Sequence, residues 1–170
     1  IIRISCKANE KNSIQILNNY FKGCSKGSVI DVENIIQKAP TIKSNTFEDI
    51  TTNSALLCFK LNSDIESIDF DNNTFRNFYV NNEFGGIGLD INNVDINNAL
   101  KITFNDCYFM NIGNKDEINQ GGALSFGYNQ NRGNLYLTLT ECFFENNNKV
   151  EKGASIYANI QHDITIEKCI

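Results

Sequence analysis

The chain has no Trp, one Met, one Pro and one His among its 170 residues, and its 15 Lys and Arg are outnumbered by 20 Asp and Glu. The shortage of basic side chains, with a formal net charge of −5, argues against nucleic acid as a partner, because phosphate recognition rests on a basic stripe. With His162 alone, a His-based metal centre has too few ligands, and no metal or other cofactor is expected. No apolar run approaches the roughly 20 residues that cross a bilayer, so no membrane span is expected in this segment. Helical periodicity is sustained nowhere. The Leu-x-x-Leu-x-Leu-x-x-Asn signature is also absent, which excludes a leucine-rich solenoid. The opening Ile1-Ile2-Arg3-Ile4 carries neither an initiator Met nor the three regions of a signal peptide. The closing Ile166-Glu167-Lys168-Cys169-Ile170 reads as the middle of a strand, so the chain is expected to be an excerpt of a larger repeat protein.

Asn is abundant, at 28 residues. Asn tolerates left-handed backbone and bonds its own local backbone, which suits tight turns and stacked ladders. An AT-rich coding bias would raise Asn, Ile and Lys whatever the fold, so the placement of these Asn matters more than their number. That placement is periodic. Ile102-Thr-Phe104-Asn-Asp-Cys107-Tyr-Phe109-Met-Asn111 recurs as Leu137-Thr-Leu139-Thr-Glu-Cys142-Phe-Phe144-Glu-Asn146 and as Ile68-Asp-Phe70-Asp-Asn-Asn73-Thr-Phe75-Arg-Asn77. Weaker copies are Ile14-Gln-Ile16-Leu-Asn-Asn19-Tyr-Phe21 and Ile42-Lys-Ser-Asn45-Thr-Phe47, and Ile164-Thr-Ile166-Glu-Lys-Cys169-Ile170 is cut short. Two apolar residues two apart share a strand face; the following step of three breaks that period and marks a bend.

A second block follows each copy and opens on small residues: Gly121-Gly122-Ala123-Leu124, Gly153-Ala154-Ser155-Ile156, Gly85-Gly86-Ile87, Ser54-Ala55-Leu56-Leu57 and Ser28-Val29-Ile30. Ile2-Arg3-Ile4 is a candidate for the same strand one repeat earlier; its register and that of the Ser28 block stay open. The template Phe residues lie 26, 28, 34 and 35 positions apart. Such a period, with two or three short strands and no helix, predicts an all-β fold, a right-handed parallel β-helix (solenoid) of about six coils in which residues 1–170 form one segment. Polar insertions at Asn92–Asn98 and Gly113–Gln120 are expected as protruding loops. An antiparallel sandwich is the competitor, but it would need hairpin turns and does not explain the return of one strand type per period.

The pairing of Gly121-Gly122-Ala123-Leu124 with Phe144-Glu-Asn146-Asn147 resembles the Gly-Gly-Ala-Ile and Phe-x-x-Asn repeats of the chlamydial polymorphic outer membrane proteins and their protozoan surface relatives. Phe75-Arg-Asn77 and Phe109-Met-Asn111 are one residue tighter, the first two copies lack the Gly pair, and Phe47-Glu-Asp49 has Asp in place of Asn. The likeness spans roughly Ile14 to Ile170 and implies a pectate-lyase-like β-helix, surface exposure and adhesive or structural roles.

Stacking at about 4.8 Å per coil places Phe21, Phe47, Phe75, Phe109 and Phe144 in one internal aromatic column. It places Asn19, Asn45 and Asn73 in a second, continued by Cys107, Cys142 and Cys169. An Asn above another supplies the amide partner that burial demands, and Cys is read as a change to a small apolar column. These thiols are either inert or joined by one disulfide, since three in a column make at most one pair. Cys6, Cys24 and Cys58 have no obvious neighbours. Polysaccharide-cleaving β-helices carry carboxylates on adjacent coils, whereas Asp69 and Asp71 share a single strand here, so no catalytic residue is expected. His162 before Asp163 reads as a loop residue, and Asp116-Glu117 lacks calcium-loop spacing. The sequon Asn72-Asn73-Thr74 makes Asn72 a candidate glycan acceptor. The functional expectation is an extracellular or cell-surface scaffold with protein or glycan partners, self-assembly among them. A carbohydrate-active enzyme with its active coils outside this segment is the alternative, and a ciliary or cortical structural component is the third.

Overall fold

The computed structural model describes residues 2–4, 13–25, 29–36, 38–52, 56–61, 65–80, 87–92, 99–114, 123–126, 135–147, 155–158 and 163–170. These residues form strands and bends, with no helix among them. β1 (Ile2–Ile4) precedes a triplet of β2 (Gln15–Leu17), β3 (Tyr20–Lys22) and β4 (Ile30–Ile36). The next triplets are β5 (Thr41–Lys43), β6 (Thr46–Thr52) and β7 (Leu57–Leu61), then β8 (Ser67–Asp71), β9 (Thr74–Val80) and β10 (Ile87–Asn92). They are followed by β11 (Leu100–Asn105), β12 (Tyr108–Asn114) and β13 (Leu124–Phe126), then β14 (Leu135–Thr140), β15 (Phe143–Glu145) and β16 (Ile156–Ala158). β17 (Ile164–Glu167) is the final strand.

Every strand pairs with the strand three places away in the chain, and each pairing among the described residues is parallel. Three sheets result: β1-β4-β7-β10-β13-β16, β2-β5-β8-β11-β14-β17 and β3-β6-β9-β12-β15. No antiparallel pair occurs among these strands, so the sandwich has no counterpart here.

Register in the second and third sheets follows the repeat. Ile16, Ile42, Phe70, Phe104, Leu139 and Ile166 pair in one line, and Ile68, Ile102, Leu137 and Ile164 in another. Phe21, Phe47, Phe75, Phe109 and Phe144 pair in a third. Alternation turns these side chains to one side of each sheet, where Ile42, Phe47, Phe70, Phe75, Phe104 and Phe109 are fully buried. Successive rings of the Phe column stack with centroids 4.8, 5.1, 5.2 and 4.8 Å apart and planes within 12°. Phe21 and Phe144, at the ends of that column, are only partly buried. Ile164 and Ile166, on the edge strand β17, are exposed.

The first sheet is less regular. Ile2 lies beside Ile30, Ile30 beside Leu57 and Leu57 beside Leu89, which fixes the register left open by the sequence. A bulge interrupts β4 between Asp31 and Ile35. In β10 the pairing changes: Leu89 meets Leu57 on one side, while Ile87 meets Leu124 on the other. The Gly and Ser residues that open these blocks, from Ser28 and Ser54-Ala55 to Gly85-Gly86, Gly121-Gly122 and Gly153-Ala154, lie outside the described residues.

Two bends recur at fixed places. The first is a left-handed residue between the second and third sheets: Asn18, Ser44, Asn72, Asp106, Glu141 and Lys168, with φ between 50° and 56°. The N–H of each of the first five donates to a carbonyl of the next tier, as Asp106 does to Thr140 at 3.0 Å. The second bend is Gly23, Asp49, Asn77, Asn111 and Asn146, again with positive φ. Left-handed backbone costs an L-residue about 1–2 kcal/mol, and Gly, Asn and Asp bear it most easily. Ser44, Glu141 and Lys168 show that the stacked neighbours impose the conformation where the residue type does not favour it.

Two stability outcomes are expected in urea unfolding. Phe109→Ala removes a ring held between Phe75 and Phe144 and should cost about 3–5 kcal/mol through the cavity it leaves. Ser44→Val should cost about 1–2 kcal/mol more than Ser44→Gly, because only the β-branched side chain is penalised at positive φ.

Candidate functional site

The residue after each first bend turns inward and forms a corner column. Asn45 is buried; its backbone N–H and its Nδ2 both donate to Asn73 Oδ1 at 3.0 Å, and Nδ2 also donates to the Ile16 carbonyl at 2.7 Å. Asn73 Nδ2 donates to the Ile42 carbonyl at 2.8 Å and to that of Asp71 at 3.1 Å. Asn19 is exposed at the edge, and its N–H and Nδ2 donate to Asn45 Oδ1 at 3.0 and 3.1 Å. The Asn45 amide thus bonds the tiers on both sides and the Asn73 amide the tier before it, which offsets the cost of burying them.

Cys107, Cys142 and Cys169 continue the column; Cys107 and Cys142 belong to the buried apolar core, and the thiols add weak contacts to backbone carbonyls. Cys107 Sγ lies 3.6 Å from the Phe70 carbonyl oxygen and 3.3 Å from that of Asn105, which share its one proton. Cys142 Sγ reaches the Phe104 and Thr140 carbonyls, each at 3.5 Å. Phe70 and Phe104 lie on the line of Ile42, so each thiol donates to the carbonyl that an Asn amide would reach. A thiol is a weaker donor of similar reach, and the column keeps its hydrogen-bond pattern through a change of residue. All three are free thiols, as is the half-buried Cys24, which lies away from this column and packs against the core.

A third column was not legible as such. Ile50, Phe78 and Ile112 pair in register beyond the second bend and are fully buried. Asn147 ends that column: its Oδ1 accepts from the Ile112 N–H at 3.0 Å and its Nδ2 donates to the Phe109 carbonyl at 3.0 Å. Asn147 is the last residue of Phe144-x-x-Asn147. Asn77 and Asn111, at the tighter spacing, do something else. They are left-handed bend residues, where Asn77 Nδ2 donates to Asp49 Oδ1 at 2.9 Å and Asn111 Nδ2 to Asn77 Oδ1 at 3.0 Å. The signal that separates them is whether an apolar residue or an Asn follows the bend.

Charges occupy the outer faces. On the third sheet Glu48 accepts from the Tyr20 hydroxyl and from Arg76 at 3.0 Å, with Lys22 3.8 Å away. Lys22 also pairs with Asp49 at 3.3 Å. On the second sheet Asp71 is held by Lys43 and accepts from Asn105 at 2.9 Å. The bond from Tyr20, then that from Arg76, holds the Glu48 carboxyl below its usual range. Asn77 and Lys22 do the same for Asp49, and Lys43 and Asn105 for Asp71. Asp69 is exposed and accepts a long bond from Ser67, so Asp69 and Asp71 do not converge on one partner. Thr103 and Thr138 pair beside Asp69 and Thr165 in this outward line. Asn72 is exposed at its bend, its amide 3.3 Å from Ser44 Oγ.

Cys6, Asp116, Glu117, His162 and most of the two polar insertions lie outside the described residues, as does the side chain of Cys58. Among the described residues no group of three or more His, Cys, Asp and Glu side chains gathers as for a metal ion, and no helix is long and apolar enough to cross a membrane. No family model, curated protein or solved structure matches this chain.

Asn45→Ala strips four side-chain bonds from a buried site and should cost about 2–4 kcal/mol, while Asn111→Gly, exposed and already left-handed, should change stability by less than about 1 kcal/mol. Both are read from chemical unfolding. The carboxylates Glu48, Asp49 and Asp71 have folded values depressed below their ordinary 4.5, 3.8 and 3.8. Their contribution is complete above those ordinary values and is lost as pH falls through the depressed ones. The urea midpoint should therefore drop on acidification below about pH 4.5, and Glu48→Gln should make that drop shallower.

Proposed function

We propose that this chain is a right-handed parallel β-helix of about six coils that serves as an extracellular or cell-surface scaffold, structural or adhesive in role. The observation that carries the reading is the three-strand cycle, in which every strand repeats parallel and in register with the strand three places on. Parallel strands joined by a crossover are right-handed in nearly all known cases, which supports the hand. A rod of this kind devotes its interior to stacking and leaves its faces to partners. The Gly-Gly-Ala-Leu and Phe-x-x-Asn resemblance supports the surface setting. Protein or glycan partners, self-assembly included, are the binding classes that fit.

The scaffold reading is favoured over a polysaccharide-cleaving enzyme by the state of the outward acids. Glu48, Asp49 and Asp71 are engaged by Lys, Arg, Tyr or Asn on neighbouring tiers, where they tie the faces together. Free buried thiols at Cys107 and Cys142 favour one other setting, the reducing interior of a cilium or cell cortex.

The test is antibody labelling of cells that express the full-length protein, with and without permeabilisation, beside a depolymerisation assay on acidic polysaccharides. Labelling of intact cells without polysaccharide cleavage is the expected result. Labelling that requires permeabilisation would replace the surface reading with the cortical one, and saturable cleavage would replace the scaffold with an enzyme.

A further inference from the structure

The thiol column is the cluster of reactive groups that the scaffold role leaves unused. Cys107, Cys142 and Cys169 occupy the same place in three successive tiers. Their flanking residues pair directly: Asn105 with Thr140, Tyr108 with Phe143, and Thr140 with Glu167. Backbone bonds clamp the same tiers beside the thiols, from the Phe143 N–H to the Cys107 carbonyl at 2.9 Å and from the Ile170 N–H to the Cys142 carbonyl at 3.0 Å. Paired strands lie about 4.8 Å apart, inside the Cα separation of roughly 4.4–6.8 Å that a disulfide spans. The three differ in access. Cys107 and Cys142 are buried, whereas Cys169 is half-buried and donates to the Glu167 carbonyl of its own tier at 3.4 Å.

We propose that Cys142 and Cys169 close a disulfide when the folded protein meets a hydroperoxide, with Cys107 left as the unpaired thiol. Cys169 is the thiol a peroxide can reach. Burial pushes it upward, so the step runs through its minor thiolate fraction. That thiolate attacks the peroxide oxygen, the O–O bond breaks, and sulfenic acid and hydroxide form. The Cys142 sulfur, on the adjacent tier held by the Ile170 N–H bond to the Cys142 carbonyl, then attacks that sulfenic sulfur. The S–O bond breaks, the new S–S bond forms, and the oxygen leaves as hydroxide, which takes its proton from solvent. Two thiols are oxidised and one peroxide is reduced. The influence of neighbouring Cys107 outweighs burial and lowers the Cys142 thiol to about 7, which supplies the second step with a nucleophile at neutral pH. Cys107 itself is pushed upward by its bond to Cys142 and by burial, which keeps it protonated and slow to react. The bridge would staple the last two described tiers of the column together.

The folded protein is treated with hydrogen peroxide, unfolded in an alkylating reagent and mapped by mass spectrometry of its peptides. The expected result is one internal cross-link joining the Cys142 and Cys169 peptides, two hydrogens lighter than their sum, with Cys107 alkylated. Cys107→Ala, which removes the neighbour that lowers the Cys142 thiol, should retain the link with slower closure, and Cys169→Ser should abolish it. Recovery of Cys142 and Cys169 alkylated after peroxide, over-oxidation of Cys169 without a cross-link, or a link between Cys107 and Cys142 in the unsubstituted chain would each overturn the proposal.

Discussion

Parallel pairing in register is the constraint on which the rest of the structure depends. Once Phe47 must lie beside Phe75 and Phe75 beside Phe109, each position inherits the same neighbours above and below. A side chain is then acceptable only if it tolerates a near copy of itself about 4.8 Å away. Rings satisfy this by stacking at 4.8–5.2 Å, amides by donating to the next carbonyl oxygen, and thiols by donating to the backbone carbonyls that the amides would reach. Isolated like charges do not satisfy it. Down one outward line of the third sheet Lys22, Glu48 and Arg76 therefore alternate in sign.

The bends carry the cost of this order. Two left-handed residues per repeat keep the flat segments short and turn the chain between the sheets. The second bend is built from Gly, Asp and Asn, residues that accept the conformation, and three of them add a ladder of their own from Asp49 through Asn77 to Asn111. The first bend accepts Ser44, Glu141 and Lys168, so there the hydrogen bonds from tier to tier outweigh local preference. Lys168 and Glu141 also pair across adjacent tiers at 3.0 Å on the exposed surface, a contact of small energetic weight.

Much of this was legible because period two and the step of three survive in the letters. The Ile-x-Phe and Phe columns and the line from Asn19 to Cys169 could be drawn from spacing alone. What escaped has physical reasons. Left-handed positions filled by Ser44, Glu141 or Lys168 carry no compositional mark. The register of the first sheet depends on a bulge after Asp31 and a change of pairing within β10, and short apolar strands do not announce either. Asn77 and Asn147 look alike in a motif that ignores one residue of spacing, yet one faces solvent at a bend and the other closes a buried column. Cys could be read as a small apolar filler from its size, but spacing does not announce that its thiol lies beside the carbonyls the Asn amides would reach.

The central claim is that successive copies of the repeat lie beside one another, parallel and in register. Interstrand NMR contacts in the isotope-labelled chain test it most directly. The account predicts ring contacts between Phe75 and Phe109 and between Phe70 and Phe104, side-chain amide contacts between Asn45 and Asn73, and no strong contacts between α-protons of β8 and β11. Strong α-proton contacts across those two strands, the mark of antiparallel pairing, or Phe75 and Phe109 rings without mutual contact, would contradict it.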